Sequence, residues 1–187
     1  SRRRGMGGAA VSEPRGGVLR VGPPLLERVE QVGIIVDDVD RAIAEATRLY
    51  PATRWRIYRY GPDVVRDLRF RGRPSRLSFW VALSDTMPQV EYIQPIDGPS
   101  IYTEWLDGHG CGVHHVGVFT ADLAGDVRRL EAAGLEVSQS GHGYGLDGDG
   151  GFAYFDTFAT LGVHLELIAI PARRRPPDRE WVVERTG

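Results

Sequence analysis

Two short segments far apart in the chain carry the same pattern, and this repeat constrains the fold more than any other feature. Residues 31–36 read Gln-Val-Gly-Ile-Ile-Val, and residues 113–119 read Val-His-His-Val-Gly-Val-Phe. Side chains alternate between the two faces of a β-strand, so Gln31 and His115 each share a face with the glycine two positions later. A polar residue placed in this way in each half of the chain indicates two copies of one module.

The segments that follow these two strands repeat as well. Residues 39–50 and 123–133 have helical patterns, the first after acidic residues suited to capping a helix. Alternation and β-branched or aromatic content then predict strands at residues 54–60, 65–71, 77–83, 89–94, 135–139, 152–156 and 163–170. Residues 141–151 are so rich in glycine that we predict a loop there, either mobile or shaped by a ligand.

A chain of 187 residues is long enough for two small modules that share a core. We expect the terminal segments, which are rich in arginine, glycine and proline, to be disordered or, at the C-terminal end, draped on the surface. The predicted division is a disordered N-terminal arm (1–25), a first βαβββ module (26–96), a connector (97–112), a second βαβββ module (113–171) and a polar C-terminal tail (172–187).

The composition excludes several classes of function. A net charge of −2 gives no general attraction to nucleic acid or to anionic membranes, and no apolar run reaches the roughly 20 residues of a membrane helix. The single cysteine, Cys111, excludes an intramolecular disulfide and a cysteine-built zinc site, so we expect a reducing, cytoplasmic location. All 23 basic residues are arginine, which excludes chemistry that depends on lysine.

Two of the predicted strands carry a carboxylate where the pattern favours an apolar residue. These are Glu91, within Val-Glu-Tyr-Ile, and Glu166, within Leu-Glu-Leu-Ile. A carboxylate on a buried strand is costly unless it is paired or binds a metal. Together with Gln31 and His115, each half offers one early and one late polar residue. One amide, one imidazole and two carboxylates suit a divalent ion such as zinc, cobalt, nickel or manganese.

On these four motifs, residues 26–171 resemble the vicinal oxygen chelate superfamily, which includes glyoxalase I, methylmalonyl-CoA epimerase, extradiol dioxygenases and bleomycin-resistance proteins. The resemblance implies an α+β fold in which two paired βαβββ modules form a cupped mixed sheet. It also implies that the metal ligands come from the first and last strands of each module. The matching positions are Gln31, Glu91, His115 and Glu166.

Within the superfamily, the ligand order Gln, Glu, His, Glu resembles glyoxalase I, whereas residues 94–100 and 112–115 resemble the epimerase branch. Extradiol dioxygenases use two histidines and a carboxylate for iron, and Gln31 replaces the first histidine. The resemblance therefore implies a lyase or isomerase that transfers a proton next to a metal-bound carbonyl or hydroxyl oxygen. The alternative is a small-molecule binding or resistance protein without enzymatic activity, although such members generally lack the metal ligands.

For the enzyme, we expect Glu166 to be the base, with Glu91 as the second choice. An epimerase of this family needs a further acid or base in the first module, but no glutamate occurs between Glu45 and Glu91. The expected substrate is a small molecule such as an acyl-CoA or a thiol adduct. The resemblance also implies a homodimer, because the cups of this fold are often completed across a dimer.

Several other polar and aromatic residues admit two interpretations. His114 faces away from His115 and is predicted to pack or to lie on the surface, whereas His164 could line the cup or be structural. The eight arginines between positions 54 and 76 could bind an anionic substrate or form a solvated sheet face. The aromatic residues predicted as pocket walls or core are Phe79, Trp80, Tyr102, Trp105 and Tyr154.

Overall fold

The computed structural model describes residues 22–186, so most of the predicted N-terminal arm lies outside the described residues. The helices in this part of the chain are α1 (Val39–Leu49), α2 (Ile101–His109), α3 (Leu123–Ala132) and α4 (Phe158–Leu161). The strands are β1 (Gln31–Ile35), β2 (Arg54–Tyr60), β3 (Asp67–Phe70), β4 (Arg73–Pro74), β5 (Ser78–Ser84), β6 (Gln89–Asp97), β7 (Gly112–Phe119), β8 (Val137–Tyr144), β9 (Gly150–Phe155), β10 (His164–Ala169) and β11 (Arg179–Val182). None of the described helices has the length and apolar composition needed to cross a bilayer.

All of these strands belong to one mixed sheet, in the order β11-β2-β5-β6-β1-β7-β10-β9-β8-β3-β4. Strands β1, β2, β5 and β6 with helix α1 form one βαβββ module, and β7, β8, β9 and β10 with α3 form the other. The two modules meet through β1 and β7, and in each the first strand runs parallel to the last. The predicted fold, two paired βαβββ modules in a cupped mixed sheet, is therefore confirmed.

Helices α1 and α3 each cover one module of the sheet through an apolar cluster of their own. Asp38 caps α1 by accepting a hydrogen bond from the backbone nitrogen of Arg41, as the acidic residues before this helix predict. The buried face of α1, which includes Ile43, packs on Trp55 and Ile57 of β2. A second apolar cluster lies under α3, and a third, rich in aromatic residues, fills the concave side of the cup.

Strands β1 and β7 pair so that each glycine of the repeat lies opposite a polar residue of the other module. Gly33 is the partner of His115, and Gly117 is the partner of Gln31. A Cβ atom on Gly33 would lie 1.8 Å from Cε1 of His115, and one on Gly117 would lie 2.8 Å from Oε1 of Gln31. The repeated glycines therefore provide the space that the two polar side chains occupy.

The pairing of β1 with β7 contains an irregularity at the two histidines. Gly33 pairs with His115 but Ile34 pairs with Val113, which leaves His114 as an extra residue. This is the pattern of a β-bulge, which bends a strand and redirects its side chains. The bulge brings Nδ1 of His114 to 3.0 Å from Nδ1 of His115, although simple alternation predicts opposite faces.

One segment differs from the sequence predictions, and the C-terminal tail adopts one of its two predicted states. The glycine-rich residues 141–151 were predicted as a loop, but most of them lie in the hairpin of β8 and β9. Glycine is needed at position 141 because the ring of Phe152 leaves no room for a side chain there. The C-terminal tail is draped on the surface and is not disordered, since β11 pairs with β2 at the edge of the first module.

The pair β3 and β4 extends the other edge of the sheet. These strands lie between β2 and β5 in the sequence, but β3 pairs with β8 of the second module. The boundaries of the predicted modules and connector stay predictions, because a segment from within residues 26–96 completes the sheet of the other half.

The close approach of Gly33 and His115 yields a stability prediction. Replacing Gly33 by alanine places a methyl group inside the His115 ring, so we expect the free energy of unfolding to fall by about 3 kcal/mol or more, as in overpacked cores. Gly112→Ala is a matched control on the same sheet, because its new methyl group would have no neighbour within 4 Å. Urea unfolding of both variants measures the difference. Equal stability of the two variants would contradict the assigned packing.

Candidate metal centre

The four polar residues singled out by the repeat lie together at the centre of the cup. Gln31 lies on β1, Glu91 on β6, His115 on β7 and Glu166 on β10, which are the first and last strands of the two modules. All four are at least nine-tenths buried. Strand register explains their convergence, because Gly33 is flanked by Glu91 and His115.

His115 occupies the space between the two carboxylates. Its Nε2 atom lies 3.0 Å from Oε2 of Glu91 and 3.1 Å from Oε2 of Glu166. The contact with Glu91 has the geometry of a hydrogen bond, whereas Oε2 of Glu166 has no hydrogen-bond partner. A single ring nitrogen can donate only one hydrogen, so it cannot satisfy both carboxylates by hydrogen bonding.

Gln31 contributes a free amide oxygen to the same centre. Its Nε2 donates to Oε1 of Gln89 at 2.9 Å and approaches Oε1 of Glu91 at 3.4 Å. Its own Oε1 is buried and has no hydrogen-bond partner. Buried acceptors without partners are uncommon in folded proteins, so the unpaired oxygens of Gln31 and Glu166 point to a missing electropositive group.

The electrostatics of the centre follow from its burial. Burial raises the pKa of Glu166 to about 6, although the positive charge of His115 opposes this shift. Burial also disfavours protonation of His115, but the two carboxylates outweigh it and raise its pKa to about 9. Two carboxylates and one imidazolium leave an excess of one negative charge in a buried site, which a cation would balance.

These residues fit a divalent metal ion. One ligand atom from each of Glu91, His115 and Glu166 lies within 4.8 Å of the others, and the free oxygen of Gln31 lines the same cavity. An imidazole nitrogen with carboxylate and amide oxygens is a donor set that zinc, cobalt, nickel and manganese accept. A histidine ligand usually donates its other ring N–H to an acceptor, and Nδ1 of His114 is placed for that role.

A small cavity of about 40 Å³ adjoins the centre. Its walls are mostly aromatic or aliphatic, and Phe79, Tyr102 and Tyr154 are predicted wall residues that the structure places there. Among the described residues that line it, Glu91 and Glu166 carry the negative charges and Arg174 carries the positive charge. The volume is close to that of one or two water molecules, so a substrate needs additional space.

His114 and His164 do not join the four residues in the cup. His114 is fully buried and packs against Trp105 and His164, with ring centroids 5.1 and 4.6 Å away, so the packing interpretation is correct. Burial lowers the pKa of His114 to about 2, which keeps it neutral. His164 and Trp105 line a separate pocket with Phe158.

The eight arginines between positions 54 and 76 do not line the cavity. Five of them form ion pairs with surface carboxylates, which favours the solvated sheet face over a binding site; these are Arg54, Arg56, Arg59, Arg69 and Arg71. The sequence predictions missed Tyr60, Gln89 and Arg174 as residues of the cavity wall. Tyr144, expected on a mobile loop, is buried in the wall at the end of β8.

The geometry agrees with comparisons to known proteins. Residues 30–155 match the model of the glyoxalase/bleomycin resistance protein/dioxygenase superfamily. The chain therefore belongs to this superfamily. No curated protein sequence matches the chain.

Solved structures with the same fold include two methylmalonyl-CoA epimerases. The enzyme from Mycobacterium tuberculosis is 20% identical, with a TM-score of 0.54 over 81% of this chain and 94% of that one. A variant of the Streptomyces coelicolor enzyme in complex with 2-nitronate-propionyl-CoA is 22% identical, with a TM-score of 0.52 over 79% and 99%. A hypothetical protein from Bacillus halodurans C-125 is 13% identical, with a TM-score of 0.57 over 79% and 97%. At these identities the likeness establishes the fold.

The unpaired buried oxygens predict that a divalent ion stabilises the protein. At roughly 100 times its dissociation constant, zinc or manganese should stabilise the fold by about 2.7 kcal/mol and raise Tm by about 5–10 °C. Glu166→Gln should lose most of this shift, because the amide removes one charged ligand. Glu45→Gln, on the exposed face of α1, should keep it. Differential scanning calorimetry with and without the ion tests this, and an equal shift in both variants would argue against the site.

Proposed function

We propose that the chain is a metal-dependent isomerase or lyase that moves a proton at the carbon next to a carbonyl or hydroxyl oxygen of a small molecule. The observation that carries the proposal is the convergence of Glu91, His115 and Glu166 in a buried site that also holds the free oxygen of Gln31. These four residues would hold the ion. When bound, the ion would polarise the substrate oxygen and so acidify the neighbouring C–H bond.

Glu166 is the proposed base. Its Oε2 atom is free of hydrogen bonds and faces the cavity wall, whereas Oε2 of Glu91 accepts a hydrogen bond from His115 in one tautomer. Burial raises the pKa of the Glu166 carboxyl, and a carboxylate with a raised pKa is a better proton acceptor than an exposed one. Glu91 is the second choice for the same role.

The cavity favours a proton shift between two carbons over epimerisation with two opposed bases. Asp63 and Asp67, the first-module carboxylates that could replace the missing glutamate, are exposed and pair with Arg59 and Arg69. Neither belongs to the cavity wall. The chemistry that needs the fewest additional groups therefore uses only Glu91 and Glu166, the carboxylates beside His115. The glyoxalase I ligand order suggests the same chemistry.

A second candidate function is the binding of a small molecule without turnover, as in resistance proteins of the superfamily. The mostly aromatic and aliphatic wall of the cavity favours this candidate, because apolar pockets with a few polar groups commonly bind small molecules. The buried carboxylates favour the enzyme, since a pure binding site has no need for two buried acidic groups, one of which, Glu166, has an oxygen without a hydrogen-bond partner.

Metal content and solvent isotope exchange distinguish the two functions. The protein purified without chelator should contain about one divalent ion per chain by elemental mass spectrometry. In deuterium oxide it should incorporate deuterium into a hemithioacetal or into methylmalonyl-CoA, measured by mass spectrometry of the product. Glu166→Gln should lower the exchange rate at least about 100-fold, the usual contribution of general-base catalysis.

The matched control for this experiment is Glu45→Gln, which removes a carboxylate from an exposed helix face. It should exchange deuterium at the wild-type rate. A wild-type protein that contains no stoichiometric ion and exchanges neither compound would favour the binding function. Exchange that persists in Glu166→Gln but is lost in Glu91→Gln would transfer the role of base to Glu91.

A further inference from the structure

The C-terminal segment 171–178, which we call the strap, connects the two modules on the side of the cavity. At one end, the backbone oxygen of Arg173 accepts a hydrogen bond from the nitrogen of Leu146, and the nitrogen of Ala172 donates to Asp149. At the other end, Asp178 accepts from the backbone nitrogen of Arg59 at 2.7 Å. The strap is therefore fixed to the turn after β8 and to the end of β2.

Three consecutive arginines in the strap have different environments. Arg173 pairs with Asp147, and Arg175 pairs with Asp178 at 2.6 Å. Arg174, between them, makes no ion pair or side-chain hydrogen bond with the described residues and is partly buried. Its side chain lines the cavity that contains Gln31, Glu91 and Glu166.

The positive charge of Arg174 affects the pKa of two tyrosines in the cavity wall. Burial raises the pKa of Tyr60 to about 12, and the positive charge of Arg174 opposes this shift. Arg174 acts in the same direction on Tyr144, whose pKa burial also raises. The guanidinium thus acts on two buried phenols of a largely apolar wall, and none of the described carboxylates forms an ion pair with it.

We propose that Arg174 is the substrate-recognition residue of this site and binds a carboxylate of the substrate while the metal-binding residues act at the adjacent carbon. The inference rests on the proposed function and names its substrate class, a small molecule with a free carboxylate. A guanidinium presents a planar fork of N–H donors that matches a carboxylate, and a partly desolvated arginine gains most from such a partner. The four metal-binding residues and a divalent ion are neutral together when His115 is neutral, so Arg174 gives the cavity its positive charge.

The strap also explains how a substrate enters. Its tethers to the second module include the exposed pair of Arg173 with Asp147, one backbone hydrogen bond from Leu146 to Arg173, and one bond from the nitrogen of Ala172 to the side chain of Asp149, which are weak enough to open. Because Arg174 lies on the strap, a carboxylate that pairs with it would help to hold the closed state. Recognition and closure then depend on the same side chain.

Binding of malonate to the metal-loaded protein tests this role. Isothermal titration would compare malonate with malonamide, which has the same shape but no charge. Arg174→Ala should weaken malonate binding about tenfold or more, which is the range for a charged hydrogen bond, and leave malonamide binding unchanged. Arg174→Lys should recover part of the affinity, because it keeps the charge but loses the fork. Arg76→Ala, an exposed arginine away from the cavity, is the matched control and should bind malonate like the wild type.

Metal content of each protein, measured in parallel, separates this inference from the proposed function. A wild-type chain without a divalent ion refutes the proposed function. The role of Arg174 is then tested on the metal-free protein, by the ratio of the malonate affinities of wild type and Arg174→Ala. Equal malonate affinity in wild type and Arg174→Ala, or equal losses for malonate and malonamide, would overturn the role of Arg174. So would a failure of the wild type to bind malonate in both metal states.

Discussion

The pairing of β1 with β7 is the constraint on which the candidate site depends. Its register places Gly33 between Glu91 and His115, and Gly117 between Gln31 and Glu166. Because each glycine has no side chain, two ligands from the neighbouring strands can approach each other. Because strand register is fixed in steps of one residue, a slip in this pairing would send half of the ligands to the convex face.

This geometry buries charged side chains, which costs free energy. The fold keeps two glutamates and a histidine in an apolar, aromatic cup, where unpaired charges are expensive. His115 compensates only part of the negative charge, and two oxygens stay without partners. The aromatic packing around His114 holds the ring of His115 in place from behind, so the ligands are oriented by the sheet and the core before any ion binds.

Much of the fold and the four clustered residues could be predicted from the sequence, because a period of two and an internal repeat leave few alternatives. The bulge at His114 could not, since one extra residue in a pair of strands does not change the sequence pattern. The glycines of residues 141–151 suggest flexibility, but Gly141 is required by close contact with Phe152. Arg174 lies in a polar tail without hydrophobic periodicity, and only the tertiary path of the strap brings it to the cavity.

The two outermost strands have a consequence for how the protein behaves in solution. The sheet ends on one side with β4, which has two residues and contains Pro74, and on the other with β11, whose four exposed residues include Arg179 and Glu180. A proline and charged side chains at the edges discourage the addition of further strands from other molecules. Both edges of this long continuous sheet therefore carry features that oppose edge-to-edge aggregation.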